Sequence, residues 1–184
     1  MSSKAFLDTN MSMHTLSKKS LHVLLTDYLE HCEIEKNLAQ STLKMYDFYL
    51  NDFLGWLKDF VGKDSVGTAD LTADNILKYR VALNRRKSSK SADGYKKSTQ
   101  KTFMVAIRAF LKYLIVEKGL DVIPPDRIIL GKAADRVPEV LSEEHLERLF
   151  SVQDLNKLSG IRDRTILETL FSTGLRVSEL VGLN

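Results

Sequence analysis

At 184 residues, 43% hydrophobic and 28% charged, the chain is long enough for one folded domain plus part of a second, and too apolar for wholesale disorder. Its formal net charge of +3 names no partner by itself. One cysteine excludes an internal disulfide, no apolar run approaches a membrane span, and the first residues lack a secretion pattern, so a cytoplasmic protein with no membrane partner is expected.

Residues 1–18, rich in Ser, Thr, Met and Asn, read as a flexible tail. A helical pattern starts after Ser20, with Leu21, Leu25, Leu29 and Cys32 on one face and Leu24 and Tyr28 beside them. Cys32 reads there as a buried structural thiol. Asn37 to Gln40 interrupts the pattern, and Ser41 is placed as the N-cap of a second helix. Its stripe is Leu43, Tyr46, Leu50, Phe53, Leu57 and Phe60. Gly62 and Gly67 break the chain before a third helix, capped by Thr72 and facing inward through Ile76, Tyr79 and Leu83.

The polar stretch Arg85 to Lys97 reads as an exposed loop. A fourth helix is expected from Ser98, burying Phe103, Ile107, Phe110 and Leu114 and ending at Gly119. Four such stripes suffice for a small bundle, so the fold class is all-α, with this domain spanning 19–120. Pro124, Pro125 and Pro138 mark 121–138 as an extended linker. Beyond it, 139–184 is too short for an ordinary independent domain. It shows a helix capped by Ser142 with Leu146, Leu149 and Phe150 inward. A second helix carries Ile166, Leu167, Leu170 and Phe171 and ends at Gly174.

Charge is distributed unevenly. Between Lys78 and Lys118 there are twelve basic residues against two acidic ones, whereas 139–184 holds five against eight. Such a basic segment is either the electrostatic footprint of a nucleic-acid surface or a solvated helix face with a basic loop. The four histidines, at 14, 22, 31 and 145, lack ligand spacing, and neither GxxxxGK[ST] nor GxGxxG occurs, so no metal or other cofactor is expected.

One motif is specific. Phe171-Ser-Thr-Gly-Leu-Arg-Val-Ser-Glu-Leu-Val-Gly-Leu183 closely resembles the tyrosine recombinase, or phage integrase, family around its first catalytic arginine. Val137-Pro-Glu-Val-Leu-Ser-Glu-Glu-His-Leu and Ile161-Arg-Asp-Arg-Thr-Ile-Leu resemble the opening helices of that family's catalytic domain, particularly in Xer-like members. The four preceding helices are similar to its SAM-like core-binding domain. The resemblance thus covers roughly 19–184.

It implies site-specific recombination, the complete enzyme breaking and rejoining DNA through a 3′-phosphotyrosyl link without metal or ATP. It implies that Arg176 is the scissile-phosphate arginine and Glu179 its support. Read alone, the two residues make a routine surface ion pair. Gly174 in a left-handed conformation would put Arg176 in the first turn of the next helix, poor for helix stability and good for an anion.

The resemblance also implies that duplex DNA is gripped by the N-terminal ends of the second and fourth helices. In this sequence these carry Ser41, Thr42 and Lys44, then Lys96, Lys97, Ser98, Thr99, Lys101 and Thr102, with Arg108 further along. Ser41 and Ser98 serve there either as phosphate contacts or as plain caps. Lys132 and Arg136 either follow the backbone between domains or belong to a solvated linker.

The family's nucleophilic tyrosine, second arginine, lysine and histidines all follow its first arginine, and the six tyrosines here, at 28, 46, 49, 79, 95 and 113, precede the linker. No nucleophile is assigned, and the chain alone is expected to be inactive, monomeric off DNA, and tetrameric with other protomers only in the complete family enzyme. The family's β-hairpin would begin at Leu183-Asn184. The alternative is a non-enzymatic DNA-binding remnant that occupies sites or interferes with an intact recombinase. An all-helical interaction module is disfavoured by the basic segment and the Arg176 motif.

Overall fold

The computed structural model describes residues 20–86, 95–131 and 140–183. Among them lie seven α-helices and no strand, and the chain divides into two compact units, Met1–Ala134 and Asp135–Asn184.

In the first unit, α1 (Leu21–Ile34) opens where the Ser20 hydroxyl accepts the His22 amide, and it buries Leu21, Leu24, Leu25, Tyr28 and Cys32. After a turn through Asn37 at φ 48°, α2 (Gln40–Val61) begins with Ala39 as its cap. Ser41 is therefore not the cap. The Gln40 side-chain amide donates to Glu33 Oε1 at 2.8 Å and ties the start of α2 to α1. Phe60, expected inside, is 48% exposed and stacks on Trp56 with ring centroids 4.7 Å apart. Gly62 closes α2 at φ 68°, a backbone state that costs glycine least.

The connection to α3 contains a 3₁₀ turn, Thr68–Asp70, that periodicity did not signal. Its Asp70 is buried, which works to raise its pKa. The Gly67 amide at 3.0 Å and the Lys63 ammonium at 2.5 Å outweigh burial and hold the carboxyl below its ordinary range. A carboxyl depressed in the folded state contributes stability above its unfolded value and loses it as pH falls through the folded one. Asp70→Asn is accordingly expected to flatten the acid limb of the unfolding profile below about pH 4. The loss at neutral pH should be about 1–2 kcal/mol. Denaturant midpoints measured from pH 7 to pH 2 check this, and an unchanged acid limb rejects it.

Helix α3 (Ala73–Arg85) starts where Thr72 Oγ1 accepts the Asn75 amide at 3.2 Å, and it buries Ile76, Tyr79 and Leu83 as its spacing predicts. Helix α4 (Lys97–Val116) has Lys96 as its N-cap, so Ser98 is not its cap. Its inward side carries Phe103, Met104, Ile107, Phe110, Leu111 and Leu114. It packs on α1, α2 and α3 and is the central element of the unit. Phe103 lies 4.4 Å from the Tyr49 ring and 5.6 Å from Tyr95, and Tyr28 lies 5.4 Å from Phe110.

One polar network crosses this core's edge. The fully buried Tyr79 hydroxyl donates to Asp52 at 2.6 Å, and Arg86 donates to the other oxygen of the same carboxylate at 2.5 Å. Burial pushes the Tyr79 phenol up, and the Asp52 bond pushes it further. For Arg86 the bond to Asp52 more than offsets burial and raises its pKa.

The segment after α4, expected to run as an extended linker from 121, is packed at its start. Val122 and Ile128 join the core with Leu120, and a second 3₁₀ turn, Pro125–Arg127, lies against α4. The apolar residues flanking the two prolines supply the reason: they have a core to cover. Arg80 Nη1 donates to the Ile129 carbonyl at 2.9 Å and holds this strap to α3.

In the second unit, α5 (Glu143–Ser151) is capped by Ser142, whose hydroxyl accepts the His145 amide at 3.3 Å. Helix α6 (Leu158–Thr173) ends at Gly174 with φ 67°, and α7 is Val177–Val181. Gly160 is the one buried residue described here. Of the expected inner faces, Leu146, Phe150, Leu167 and Leu170 are half-buried, while Leu149, Ile166 and Phe171 are exposed. Phe150 and Phe171 meet edge to face at 6.0 Å.

Candidate nucleic-acid interface

Helix starts favour acidic residues, whose charge complements the exposed amides. Asp74 opens α3, and Glu143 and Glu144 open α5. By contrast, the first turns of α2 and α4 hold no acid, and neither cap supplies a side-chain hydrogen bond. Ser41 and Lys44 are exposed in the opening turns of α2, with Thr42 half-buried. On α4, Lys96, Lys97, Ser98 and Lys101 are exposed, with Thr99 and Thr102 half-buried. Thr102 donates to the Ser98 carbonyl at 3.1 Å, a bond internal to the helix.

With Ala39 and Lys96 as the caps, the Ser41 and Ser98 hydroxyls are not used for capping. Lys44, Lys96, Lys97 and Lys101 form no ion pair among the described residues. Both helix starts are therefore surfaces of lysines, hydroxyls and amides, which suit phosphate oxygens.

Arg108 differs from the rest of the set: it is half-buried and paired with Asp126 of the strap at 2.9 Å. Its guanidinium holds the second 3₁₀ turn to α4. Lys132 and Arg136 lie outside the described residues. Two cations that sequence reasoning did not select, Arg80 and Arg85 of α3, line one cleft with Lys97 and Lys101. Only the packing of α3 on α4 brings them together, and no spacing within either helix announces it.

In the second unit, Arg176 is the N-cap of α7, one position before the first turn expected for it. Glu179 Oε2 accepts its backbone amide at 2.8 Å and Oε1 accepts its Nη1 at 3.0 Å. The guanidinium is thus oriented from two points while its side chain remains 82% exposed. An exposed pair of this kind contributes only a few tenths of a kcal/mol, so its geometry presents the cation more than it stabilises the unit. Among the described residues no group of three His, Cys, Asp or Glu side chains is arranged to hold a metal ion, and no helix is long and apolar enough to cross a membrane.

Known proteins give this geometry a lineage. The family model described as phage integrase, N-terminal SAM-like domain matches residues 25–118, which include the starts of α2 and α4 and the whole of α3. The chain is 33% identical over 162 residues to tyrosine recombinase XerD of Pseudomonas putida, covering 88% of this chain and 51% of that protein. With tyrosine recombinase XerC of Bacillus subtilis the identity is 32% over 154 residues, covering 83% and 47%. With XerC of Bacillus licheniformis it is 34% over 161 residues, covering 86% and 49%. The chain spans about half the length of the curated relatives it matches. No solved structure matches it. An all-helical unit with basic helix starts, the family model over half the chain and relatives at a third identity lead to one assignment: the chain belongs to the tyrosine recombinase family of XerC and XerD.

Proposed function

We propose that the first unit binds duplex DNA in site-specific recombination, through the N-terminal turns of α2 and α4. The observation that carries this reading is the acid-free, unpaired basic start of α4, where Lys97 and Lys101 stand one turn apart. By the same reading, Lys44 with Ser41 and Thr42 contacts the backbone from α2, and Lys132 and Arg136 continue the contact beyond the strap. Arg108 adds charge only if its bond to Asp126 opens. Arg176, oriented by Glu179, is the residue that meets the scissile phosphate in the complete enzyme. That enzyme works with other protomers and breaks and rejoins strands through a 3′-phosphotyrosyl link.

A salt titration of duplex binding tests the reading. Log affinity should fall linearly with log salt, at about 0.9 per phosphate neutralised. Lys97→Ala combined with Lys101→Ala should weaken binding to every sequence and reduce that slope by roughly two. Absence of binding at low salt, or affinity indifferent to salt, rejects the proposal.

A further inference from the structure

Between α3 and α4 the first unit leaves an open cleft of about 580 Å³ whose charged lining, among the described residues, is basic. Arg80 and Arg85 line it from α3, and Lys97 and Lys101 from α4. Like charges gathered at one concavity repel one another, and no described carboxylate neutralises them there. Four other cations of the unit are matched: Arg86 by Asp52, Arg108 by Asp126, Lys78 by Asp74 and Lys118 by Asp27. None of the four cleft cations has an ion pair among the described residues.

The neutral lining has the same polarity. Gln100, 6% exposed, donates its amide to Asn84 Oδ1 at 3.0 Å and to the Tyr95 carbonyl at 2.8 Å. With its oxygen engaged, Asn84 keeps its N–H₂ group for another acceptor. Arg80 is fixed by the Ile129 carbonyl and by Gly131, where a Cβ would stand 2.3 Å from its Nη2. The strap thus sets this charge in place. What the cleft offers is a row of donors and positive charge, open to solvent, with no carboxylate among the described residues that line it.

We propose that α3 is a third DNA-contacting element, and that the cleft seats the phosphodiester backbone. Arg85 and Asn84 donate to phosphate oxygens opposite Lys97 and Lys101, and Arg80 positions the strap and adds charge at the edge. The proposal rests on the reading that the chain binds duplex DNA. It extends the contact to a helix whose start is not basic. A phosphodiester chain is the ligand that fits, because the cleft is open and its charges are spread over two helices rather than closed around one anion.

Duplex binding by the full chain and two single variants tests it. Arg85→Ala should weaken binding about five- to tenfold at fixed salt, equally for unrelated sequences, and lower the log–log salt slope by about one, whereas Arg85→Lys should keep the slope. Asn84→Asp keeps the oxygen that Gln100 uses and places a carboxylate in the cleft, so it should weaken binding at least as much. The Arg85 side chain makes no hydrogen bond or ion pair among the described residues, and far-UV circular dichroism of its variants should match the parent. If Arg85→Ala and Asn84→Asp leave affinity and slope unchanged while the Lys97 and Lys101 double variant weakens binding, the cleft is overturned and the duplex reading stands. If the parent chain itself fails to bind duplex at low salt, the duplex reading falls and this proposal with it.

Discussion

Phe103→Ala should cost the first unit about 3–5 kcal/mol, because it removes a large ring from a site that cannot collapse around the gap. Phe103 is 1% exposed, and the rings of Tyr49, Tyr95 and Phe48 surround it at 4.4, 5.6 and 6.2 Å. Against a total stability of roughly 5–15 kcal/mol, such a loss brings a small domain close to unfolding. Urea denaturation should show a lower midpoint with an unchanged slope. Phe48 belongs to the same cluster but is 57% exposed, and its replacement by alanine should stay within about 0.5 kcal/mol of the parent. Comparable losses at the two positions would mean that this cluster is not the centre of the core.

Asp52→Ala is the second large effect expected. One carboxylate satisfies both the buried Tyr79 hydroxyl and the Arg86 guanidinium, residues 27 and 34 positions away in sequence. Removing it strands a phenol that burial has already made reluctant to ionise, and it frees a cation that needs solvent. The expected cost is about 2–4 kcal/mol. Because the groups act as a unit, Tyr79→Phe should cost far less in the Asp52→Ala background than in the parent. A coupling of about 1–3 kcal/mol is expected from the double-mutant cycle. Strict additivity would show that the hydroxyl does not depend on this carboxylate.

Much of the first unit was legible because its helices repeat apolar residues at a regular interval. Ile76, Tyr79 and Leu83 in α3, and Phe103, Ile107, Phe110 and Leu114 in α4, are all buried as their spacing requires. Local chemistry also placed Thr72, Ser142 and Gly174 correctly, since a hydroxyl cap and a left-handed glycine act within one turn. Ser41 and Ser98 misled for the converse reason. Each helix there begins sooner than its first hydroxyl, with Ala39 and Lys96 as the caps.

Tertiary relations were beyond reach. Nothing near Arg108 in sequence signals Asp126, and nothing near Asp52 signals Arg86. The strap was read as linker because its prolines speak against helix, yet they are compatible with packing, and Val122 and Ile128 are buried. Of the candidate site, the α4 lysines and Arg176 were readable from composition and from motif respectively. The α3 wall of the cleft was not, because it exists only once two helices meet.

Helix α4 keeps its apolar side chains and its lysines on different faces. Phe103, Met104, Ile107, Phe110, Leu111 and Leu114 are committed to the interior, whereas Lys97, Lys101 and Lys112 are exposed. Gln100 and Met104 stand at the border, buried yet lining the cleft. Substitutions on the outer face are thereby decoupled from folding, and a lineage can revise what this helix touches without first acquiring a compensating change in the core. A single helix so divided lets its exposed face change while its architecture stays fixed.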